Sequence, residues 1–256
     1  MKHNFHIHTM QSSCAKEEMT VKNILLKAEA EGFEIIGLSD HFHQPGRDYL
    51  NMASKLRNSL DALKPLGRVR SVSRPSLDVL VGCEAQMLSP KQVSIDQKIA
   101  SCLDYVIIAA DHYHLATVEN PIERQADAYA IHYLKMLEGA IDTGFCDVIA
   151  HPFTLPKVTG IDRLLVLELY DRDEIARILS KAIRKRVSLE LNPNHISIAP
   201  WFFSELSLLS HQIGFKFTIG TDAHLLSGIG YENSTELEKL GFSPEDFVVP
   251  KEGAYL

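Results

Sequence analysis

The segment IIGLSDH, residues 35–41, indicates how this chain folds. Its first four residues are apolar or small, and such a short run fits a strand better than a helix. Near-continuous apolarity is typical of strands that are buried on both faces, as they are in a parallel sheet. Asp40 and His41 follow at once, so this strand delivers a carboxylate and an imidazole at its exit. Parallel barrels build their sites from such strand ends.

Six other short apolar runs repeat this kind of segment, and helical stretches lie between them. The predicted strands cover residues 5–7, 35–38, 79–81, 105–109, 148–150, 187–191 and 217–219. The predicted helices cover residues 21–31, 49–63, 122–143, 171–185 and 200–212. This alternation favours a parallel α/β architecture, and polar residues at the strand exits favour a TIM-barrel-like closed sheet over an open one.

Chain length and composition suit one large barrel or two small domains. The chain has 256 residues, and 45% of them are hydrophobic, which is enough for a sizeable core. We find no internal repeat and no long Pro/Gly linker, so we predict a single barrel domain over residues 1–256. The tail from Leu226 has weak periodicity, and we expect it to pack on the outside.

Charge and cysteine content limit the partners and the compartment. The formal net charge is -7, whereas proteins that grip polyanions rely on Lys and Arg, so nucleic acid is a possible but not a favoured partner. No apolar run of about 18 residues predicts a membrane span. The N-terminus enters a strand pattern at once, and the four cysteines form no C-x-x-C motif. We therefore expect a cytoplasmic protein, while the oligomeric state stays open.

Two histidines separated by one residue begin the evidence for a metal site. His6 and His8 lie at positions i and i+2, and on a strand such side chains share a face. Both imidazoles can therefore reach one cation. Because chance produces such a pair often, the pair alone leaves a structural role equally open.

Further metal-binding side chains follow other apolar runs. They are Glu84, His112, His151, Asp222 and His224. A carboxylate in an apolar setting is rarely left unpaired, and Glu84 could bridge two metal ions through its two oxygens. We prefer His112 over His114 as a ligand, because the strand can end before the second histidine. Histidines buried only for packing have no reason to recur at strand exits, so the pattern predicts a site for Zn, Mn or Fe.

The order of these motifs resembles a known superfamily. H-x-H, D-H, E, H, H-P and D-x-H, from His6 to His224, are similar to the motifs of the PHP (polymerase and histidinol phosphatase) superfamily of metal-dependent phosphoesterases. The resemblance implies a distorted (β/α)7 barrel with metals at the carboxyl ends of the strands, and this agrees with the seven predicted strands.

The resemblance also implies which residues hold up to three cations. The implied ligands are His6, His8, Glu84 and Asp222 for the first cation, Glu84, His112 and His151 for the second, and His41, His224 and residue 14 for the third. Close relatives commonly carry His or Asp at the last position, where this chain has Cys14. A thiolate binds Zn well and would bias the third site toward Zn. If Cys14 is a spectator, only two metals bind tightly.

The implied reaction is hydrolysis of a phosphate ester. We predict that two or three divalent ions supply a metal-bound hydroxide that attacks a small phosphomonoester. Asp222 and His224 are the predicted catalytic groups, with Asp222 or a nearby histidine moving a proton. Arg47, Lys157 and Asn192 are the predicted substrate-binding residues.

Three other functions compete with this prediction. The first is a phosphodiesterase or exonuclease that acts on nucleotides or short oligonucleotides, which the acidic charge disfavours weakly. The second is an amidohydrolase-type C–N hydrolase, which also begins with H-x-H. Glu84 as a bridge and the D-x-H ending both favour the phosphoesterase instead. The third is a noncatalytic metal-bearing module of a larger assembly, which retention of nearly every ligand position disfavours.

Overall fold

The computed structural model describes residues 2–44, 47–63, 77–155, 160–231 and 234–250. Its sheet contains the strands β1 His3–Ile7, β2 Ile35–Phe42, β3 Asp78–Ser89, β4 Gln92–Val93, β5 Tyr105–Ala109, β6 Val148–Ala150, β7 Ser188–Leu191 and β8 Phe217–Ile219. Seven of them run parallel in the order β1-β2-β3-β5-β6-β7-β8, and β4 pairs antiparallel with β3. A bridge between Ile7 and Ala223 joins the two ends of the sheet. The predicted TIM-barrel-like α/β fold is confirmed as a nearly closed parallel barrel.

Helices connect the strands. They are α1 Val21–Ala30, α2 Tyr49–Leu63, α3 Gln97–Ala100, α4 Ala126–Asp142, α5 Arg163–Glu168, α6 Arg172–Lys185, α7 Pro193–Ile196, α8 Pro200–Ile213 and α9 Ser234–Lys239. All five predicted helices are present, although α4 begins at Ala126 instead of residue 122. No described helix is both long enough and apolar enough to cross a membrane.

One predicted strand is much longer than expected. Residues 79–81 are only the beginning of β3, which continues through Glu84 to Ser89. Gly82 and Cys83 look like the end of an apolar run, but backbone pairing with β2 on one side and β5 on the other carries the strand onward. Glu84 therefore lies inside a central strand rather than after its exit, and rigid neighbours hold it on both sides.

The barrel interior is filled by a small apolar cluster around Tyr105. The phenol is fully buried, and its hydroxyl donates a hydrogen bond to the Phe5 carbonyl at 2.8 Å. Gly37 and Gly82 make room for the ring, since an added Cβ atom at either position would overlap Tyr105 atoms. Side chains alternate along a strand, so the inner face that holds Gly82 also presents Glu84.

A register shift in β1 brings an extra side chain to the inner face. The pairing of β1 with β2 shifts between Asn4 and Ile7. Phe5 packs in the interior cluster, and the adjacent His6 contacts Glu84 and Glu190. Strict alternation would send His6 to the opposite face. The irregularity redirects a side chain next to the site, as bulges commonly do.

The C-terminal tail packs on the outside of the barrel, as expected, and adds apolar side chains to the core between the sheet and the helices. Leu237 and Phe242 are buried, and Phe242 packs edge-on against Phe217 of β8 at 5.3 Å between ring centroids. Val248 donates a backbone hydrogen bond to the Phe217 carbonyl. The tail thus covers one edge of the sheet near its closure. The extent of the domain, residues 1–256, stays a prediction.

Candidate metal centre

Glu84 lies at the centre of a histidine cluster. The carboxylate is completely buried, and its two oxygens face different partners. Oε1 lies 3.1 Å from His151 Nε2 and 3.6 Å from His112 Nε2. Oε2 faces four imidazole nitrogens at 2.5 to 3.9 Å, those of His41, His6, His8 and His43. One carboxylate can therefore serve two sides of a metal centre.

Asp222 closes one side of the cluster. Its Oδ1 lies 2.9 Å from His8 Nε2 and 3.4 Å from His6 Nε2. Asp222 has φ +52°, in the left-handed region that non-glycine residues seldom adopt. His151 also has a positive φ, +26°. Strained backbone is thus found at two of the predicted ligands, where the surrounding fold must compensate its cost.

Two carboxylates fix the orientation of His6 and His151. His6 Nδ1 lies 2.6 Å from Glu190 Oε2, and His151 Nδ1 lies 3.1 Å from Asp111 Oδ1. A carboxylate only accepts, so each neutral ring donates through Nδ1 and keeps its lone pair on Nε2. Both Nε2 atoms lie toward Glu84. This is the arrangement of carboxylates behind metal-binding histidines in proteins.

Ser12 fixes the orientation of His8. The Ser12 hydroxyl donates to Asp40 at 2.7 Å, so it can only accept from His8 Nδ1 at 3.3 Å. His8 then keeps its lone pair on Nε2, next to Asp222. His224 follows the same rule, because its Nδ1 lies 2.8 Å from the Asp222 carbonyl. In the neutral form that binds a metal, these four histidines therefore present Nε2 lone pairs to the centre.

Asp40 holds the loop after β1. It accepts hydrogen bonds from the Thr9 backbone at 2.8 Å and from the Thr9 hydroxyl at 2.7 Å, in addition to Ser12. Its burial raises its pKa, which these hydrogen bonds oppose. Asp40 therefore belongs to none of the groups of described residues that could hold a metal ion. It positions the segment that carries His8 and Cys14.

Cys14 lies at the outer edge of the centre. Its Sγ atom lies 3.1 Å from His41 Nε2, which is itself 3.4 Å from His224 Nε2. The thiol is exposed. Partial burial would raise the pKa of Cys14, but hydrogen bonds with His224 and His41 outweigh it and lower the pKa to about 6. A thiolate at this position is available as a soft ligand.

The charged groups of the centre shift one another's pKa. Burial would lower the pKa of His6, but Glu190 and the other carboxylates outweigh it and raise the pKa well above its usual value. Burial would raise the pKa of Glu84, but His41 and its neighbours hold it well below. Burial lowers the pKa of His8 to about 3. A neutral His8 keeps a free lone pair at neutral pH.

Among the described residues, four groups of three side chains could each hold a metal ion. The groups are His6, His8 and Asp222; Glu84, His112 and His151; His8, His41 and His224; and His41, His43 and Glu84. Several of these buried atoms make no hydrogen bond, among them His6 Nε2, His43 Nε2 and Glu84 Oε2. Buried polar atoms rarely lack a partner. Converging nitrogen and oxygen lone pairs fit a divalent ion of the Zn, Mn or Fe kind.

The structure brings together eight predicted ligands and places the ninth, Cys14, beside them. The eight are His6, His8, His41, Glu84, His112, His151, Asp222 and His224. His114 belongs to none of the four groups, in agreement with the preference for His112. The roles of all nine residues stay predictions.

The structure describes two of the three predicted substrate-binding residues. Asn192 is buried directly after β7, where its carbonyl accepts a backbone hydrogen bond from His195. Arg47 is exposed just before α2. Lys157 lies outside the described residues. Their contacts with substrate stay predictions.

Sequence reasoning missed three residues of the site. His43 belongs to a donor group, Asp111 holds His151, and Ser12 holds His8. His43 had a signal, since it lies two residues after His41, the spacing that was used for His6 and His8. Asp111 and Ser12 act through other side chains, and local sequence carries no sign of that.

The fold and the donor groups first define a class, an α/β barrel with a candidate metal centre at the carboxyl ends of its strands. The family model described as PHP domain matches residues 4–194. The chain therefore belongs to the PHP family, as the motif order predicted.

Two relatives extend this assignment. A probable phosphatase from Photobacterium profundum is 24% identical over 260 residues, which cover 98% of this chain and 90% of that protein. The crystal structure of histidinol phosphate phosphatase from Lactococcus lactis subsp. lactis, complexed with zinc, L-histidinol and phosphate, has a TM-score of 0.63. It is 18% identical, and the match covers 97% of this chain and 96% of that one. The similarity in structure shows the shared fold, and the prediction of a phosphatase-type hydrolase is confirmed at this general level.

Proposed function

We propose that this protein is a metal-dependent phosphoesterase that hydrolyses a small phosphomonoester. One observation carries the proposal: a buried carboxylate, Glu84, lies between two sets of imidazoles whose Nε2 atoms converge on it. Both relatives carry phosphatase names, and the structural relative was captured with L-histidinol and phosphate. The net charge of -7 supports a small substrate over a polyanion.

The residues of the centre divide into three places for a cation. His6, His8 and Asp222 would hold the first with Glu84, which would also hold the second. His112 and His151 would complete the second, while His41, His224 and Cys14 would hold a third. When bound, such ions lower the pKa of water toward neutrality and offset the charge of the phosphoryl oxygens.

The carboxylates of the centre differ in what they contact and in how exposed they are. Glu190 and Asp111 are buried and hold His6 and His151 by their Nδ1 atoms. The Asp222 side chain is 27% exposed, whereas that of Glu84 is 1% exposed. A group must be accessible from solvent to exchange a proton with substrate, so this difference in exposure supports Asp222 as the proton-transfer group.

His224 is exposed to a similar extent. Its side chain is 26% exposed, and its Nδ1 atom is held by the Asp222 carbonyl. The ring is therefore fixed while its other nitrogen stays accessible. Held in this way, Nε2 can bind the third cation or, where that cation is absent, orient the substrate or the leaving group. Asn192, Arg47 and Lys157 remain the proposed substrate contacts.

A reducing cytoplasm is the proposed setting. All four cysteines are free, as a reducing compartment maintains. The barrel is proposed to extend as one domain over residues 1–256.

Metal analysis combined with a substrate panel tests the function. Purified protein would be assayed for bound Zn, Mn and Fe, and for turnover of phosphomonoesters, including histidinol phosphate, and of dinucleotides. The variant His6→Ala/His8→Ala should lose metal and turnover while it keeps the fold. His211→Ala is the matched control, because His211 lies on α8, is largely exposed and pairs with Asp246 away from the centre. Unchanged turnover in the double variant would refute the assignment, and preferred cleavage of dinucleotides with a steep salt dependence would favour a nuclease.

A further inference from the structure

His43 lies beside the centre, although the motif pattern does not assign it a role. It follows β2 directly, and its Nε2 atom lies 3.9 Å from Glu84 Oε2. The ring is 4.0 Å from that of His41 and 5.4 Å from that of His112, between centroids. His43 Nε2 is buried and makes no hydrogen bond with the described residues. A histidine retained for packing would normally have a partner for that nitrogen.

His41 presents a nitrogen to the same region. Its Nδ1 atom lies 2.5 Å from Glu84 Oε2 and makes no hydrogen bond of acceptable geometry with the described residues. Donor atoms of His41, His43 and Glu84 all lie within 4.8 Å of one another. Two imidazoles and a carboxylate form a common ligand set for Zn and related ions.

We propose that His43 is a metal ligand and that it forms, with His41 and Glu84, an additional place for a divalent cation. We call this the inner place, and we call the third place, formed by His41, His224 and Cys14, the outer place. The inference rests on the proposed metal centre but not on the identity of its substrate.

The two places share His41 and therefore compete for it. A neutral imidazole has one lone pair, because its other nitrogen carries hydrogen. His41 can bind at the inner place through Nδ1, or at the outer place through Nε2, which lies 3.4 Å from His224 Nε2. The last cation to bind is therefore expected to divide between the two places.

Cobalt titration of the metal-free full chain tests the inner place. The proteins compared would be wild type, His43→Ala, His43→Gln and His114→Ala, each titrated with Co²⁺ and followed by calorimetry and metal analysis. His114→Ala is the matched control, because His114 packs on His112 but belongs to no donor group. Because the outer place remains available, each His43 variant alone should weaken binding of the last Co²⁺ by about twofold. The loss should reach about tenfold or more when His224 is also replaced, since even groups that only orient a ligand contribute about 10- to 100-fold. The control should bind as wild type does.

The outcomes separate this inference from the proposed function. Wild-type affinity in both His43 variants would overturn it, as would an equal loss in His114→Ala. If only His43→Ala binds weakly while His43→Gln binds normally, the side chain fills space and the inference is wrong. Wild-type protein that binds metal as expected but hydrolyses no phosphomonoester would refute the function and leave His43 as a ligand.

A double variant tests the competition for His41. His224→Ala removes one ligand of the outer place, and the last Co²⁺ should then bind mainly at the inner place. Adding His43→Ala to that variant should lower the affinity for this ion by about tenfold or more. Equal affinities in His224→Ala and the double variant would show that no inner place exists.

Discussion

Two H-x-H segments, at the ends of the two strands that flank β3, differ in how their histidines reach the centre. His41 and His43 come from the end of β2, where pairing with β3 continues to Phe42 and places His41 opposite Glu84. His112 and His114 come after β5, which has already ended at Ala109. The first pair reaches Glu84 with both rings, whereas the second does so with His112 alone.

The difference lies in the backbone that carries each pair. Side chains at i and i+2 share a face only while the strand continues. After β5 the chain turns, since Leu115 donates a backbone hydrogen bond to the His112 carbonyl at 2.9 Å. The His114 ring contacts that of His112, 5.2 Å between centroids, but His114 belongs to no donor group among the described residues. The spacing of histidines thus predicts shared ligation only where the pairing of the sheet is also known.

Removing the charge of Glu84 should have the largest effect, because both pairs depend on it. In Glu84→Gln, one oxygen remains, and the amide group replaces the oxygen that faces either His41 or His151. We expect a loss of at least about 100-fold in turnover together with loss of bound metal, since even residues behind the ligands contribute about 10- to 100-fold.

The matched control for this change is Glu138→Gln. Glu138 pairs with Arg177 and Lys181 on the surface of α4, so the same chemical change occurs away from the centre. Turnover and metal content of the control should match wild type. Full metal content in Glu84→Gln would contradict the bridging role.

Much of this arrangement could be predicted from the sequence, because buried parallel strands leave near-continuous apolar runs. The seven barrel strands and most ligands follow from that signal. The short helices α3, α5, α7 and α9 were missed, since four to six residues carry too little periodicity. The contact of His6 with Glu190 joins residues 184 positions apart. The position of Glu190 at a strand exit is visible in the sequence, but no local pattern reports that its partner is His6, so this pairing had to come from the structure.

The middle residue of the first pair should be the next most sensitive position. Phe42 is 2% exposed and stacks on Tyr49 at 4.1 Å between ring centroids. Phe42→Ala should lower the free energy of unfolding by about 3–5 kcal/mol, because it leaves a cavity in the core. Loosening the end of β2 should also weaken metal binding at His41 and His43.

Urea denaturation and Co²⁺ titration measure the two effects of Phe42→Ala. Phe42→Leu is the control, since it keeps most of the buried volume and should cost far less stability. If Phe42→Ala is destabilised but binds metal normally, the end of β2 does not hold the first pair in place.

The reactivity of Cys14 tests whether this residue binds a cation at the outer place together with His41, a member of the first pair. Because hydrogen bonds with His224 and His41 lower the pKa of Cys14 to about 6 against its partial burial, its alkylation rate should rise through that pH in metal-free protein. Below this pH the thiol is protonated and reacts slowly. Exposed Cys102 is the internal reference in the same chain.

Iodoacetamide labelling with peptide mass analysis measures both cysteines at once. Loading with Zn²⁺ should slow the labelling of Cys14 by about tenfold or more and leave Cys102 unchanged, because a metal-bound thiolate is less available. Equal labelling of Cys14 with and without Zn²⁺ would show that Cys14 is not a metal ligand.

Tyr113, the middle residue of the second pair, should give the smallest effect. His132 Nε2 lies 3.1 Å from Glu119 and donates to it, so His132 Nδ1 accepts from the Tyr113 hydroxyl at 3.0 Å. Tyr113→Phe removes this one hydrogen bond and should lower the free energy of unfolding by about 0.5–1.5 kcal/mol. Co²⁺ affinity should not change, because the turn after β5 already separates His114 from the centre. A loss of metal affinity as large as that of Phe42→Ala would mean that the turn positions His112 as firmly as a strand does, and the contrast between the two pairs would then be wrong.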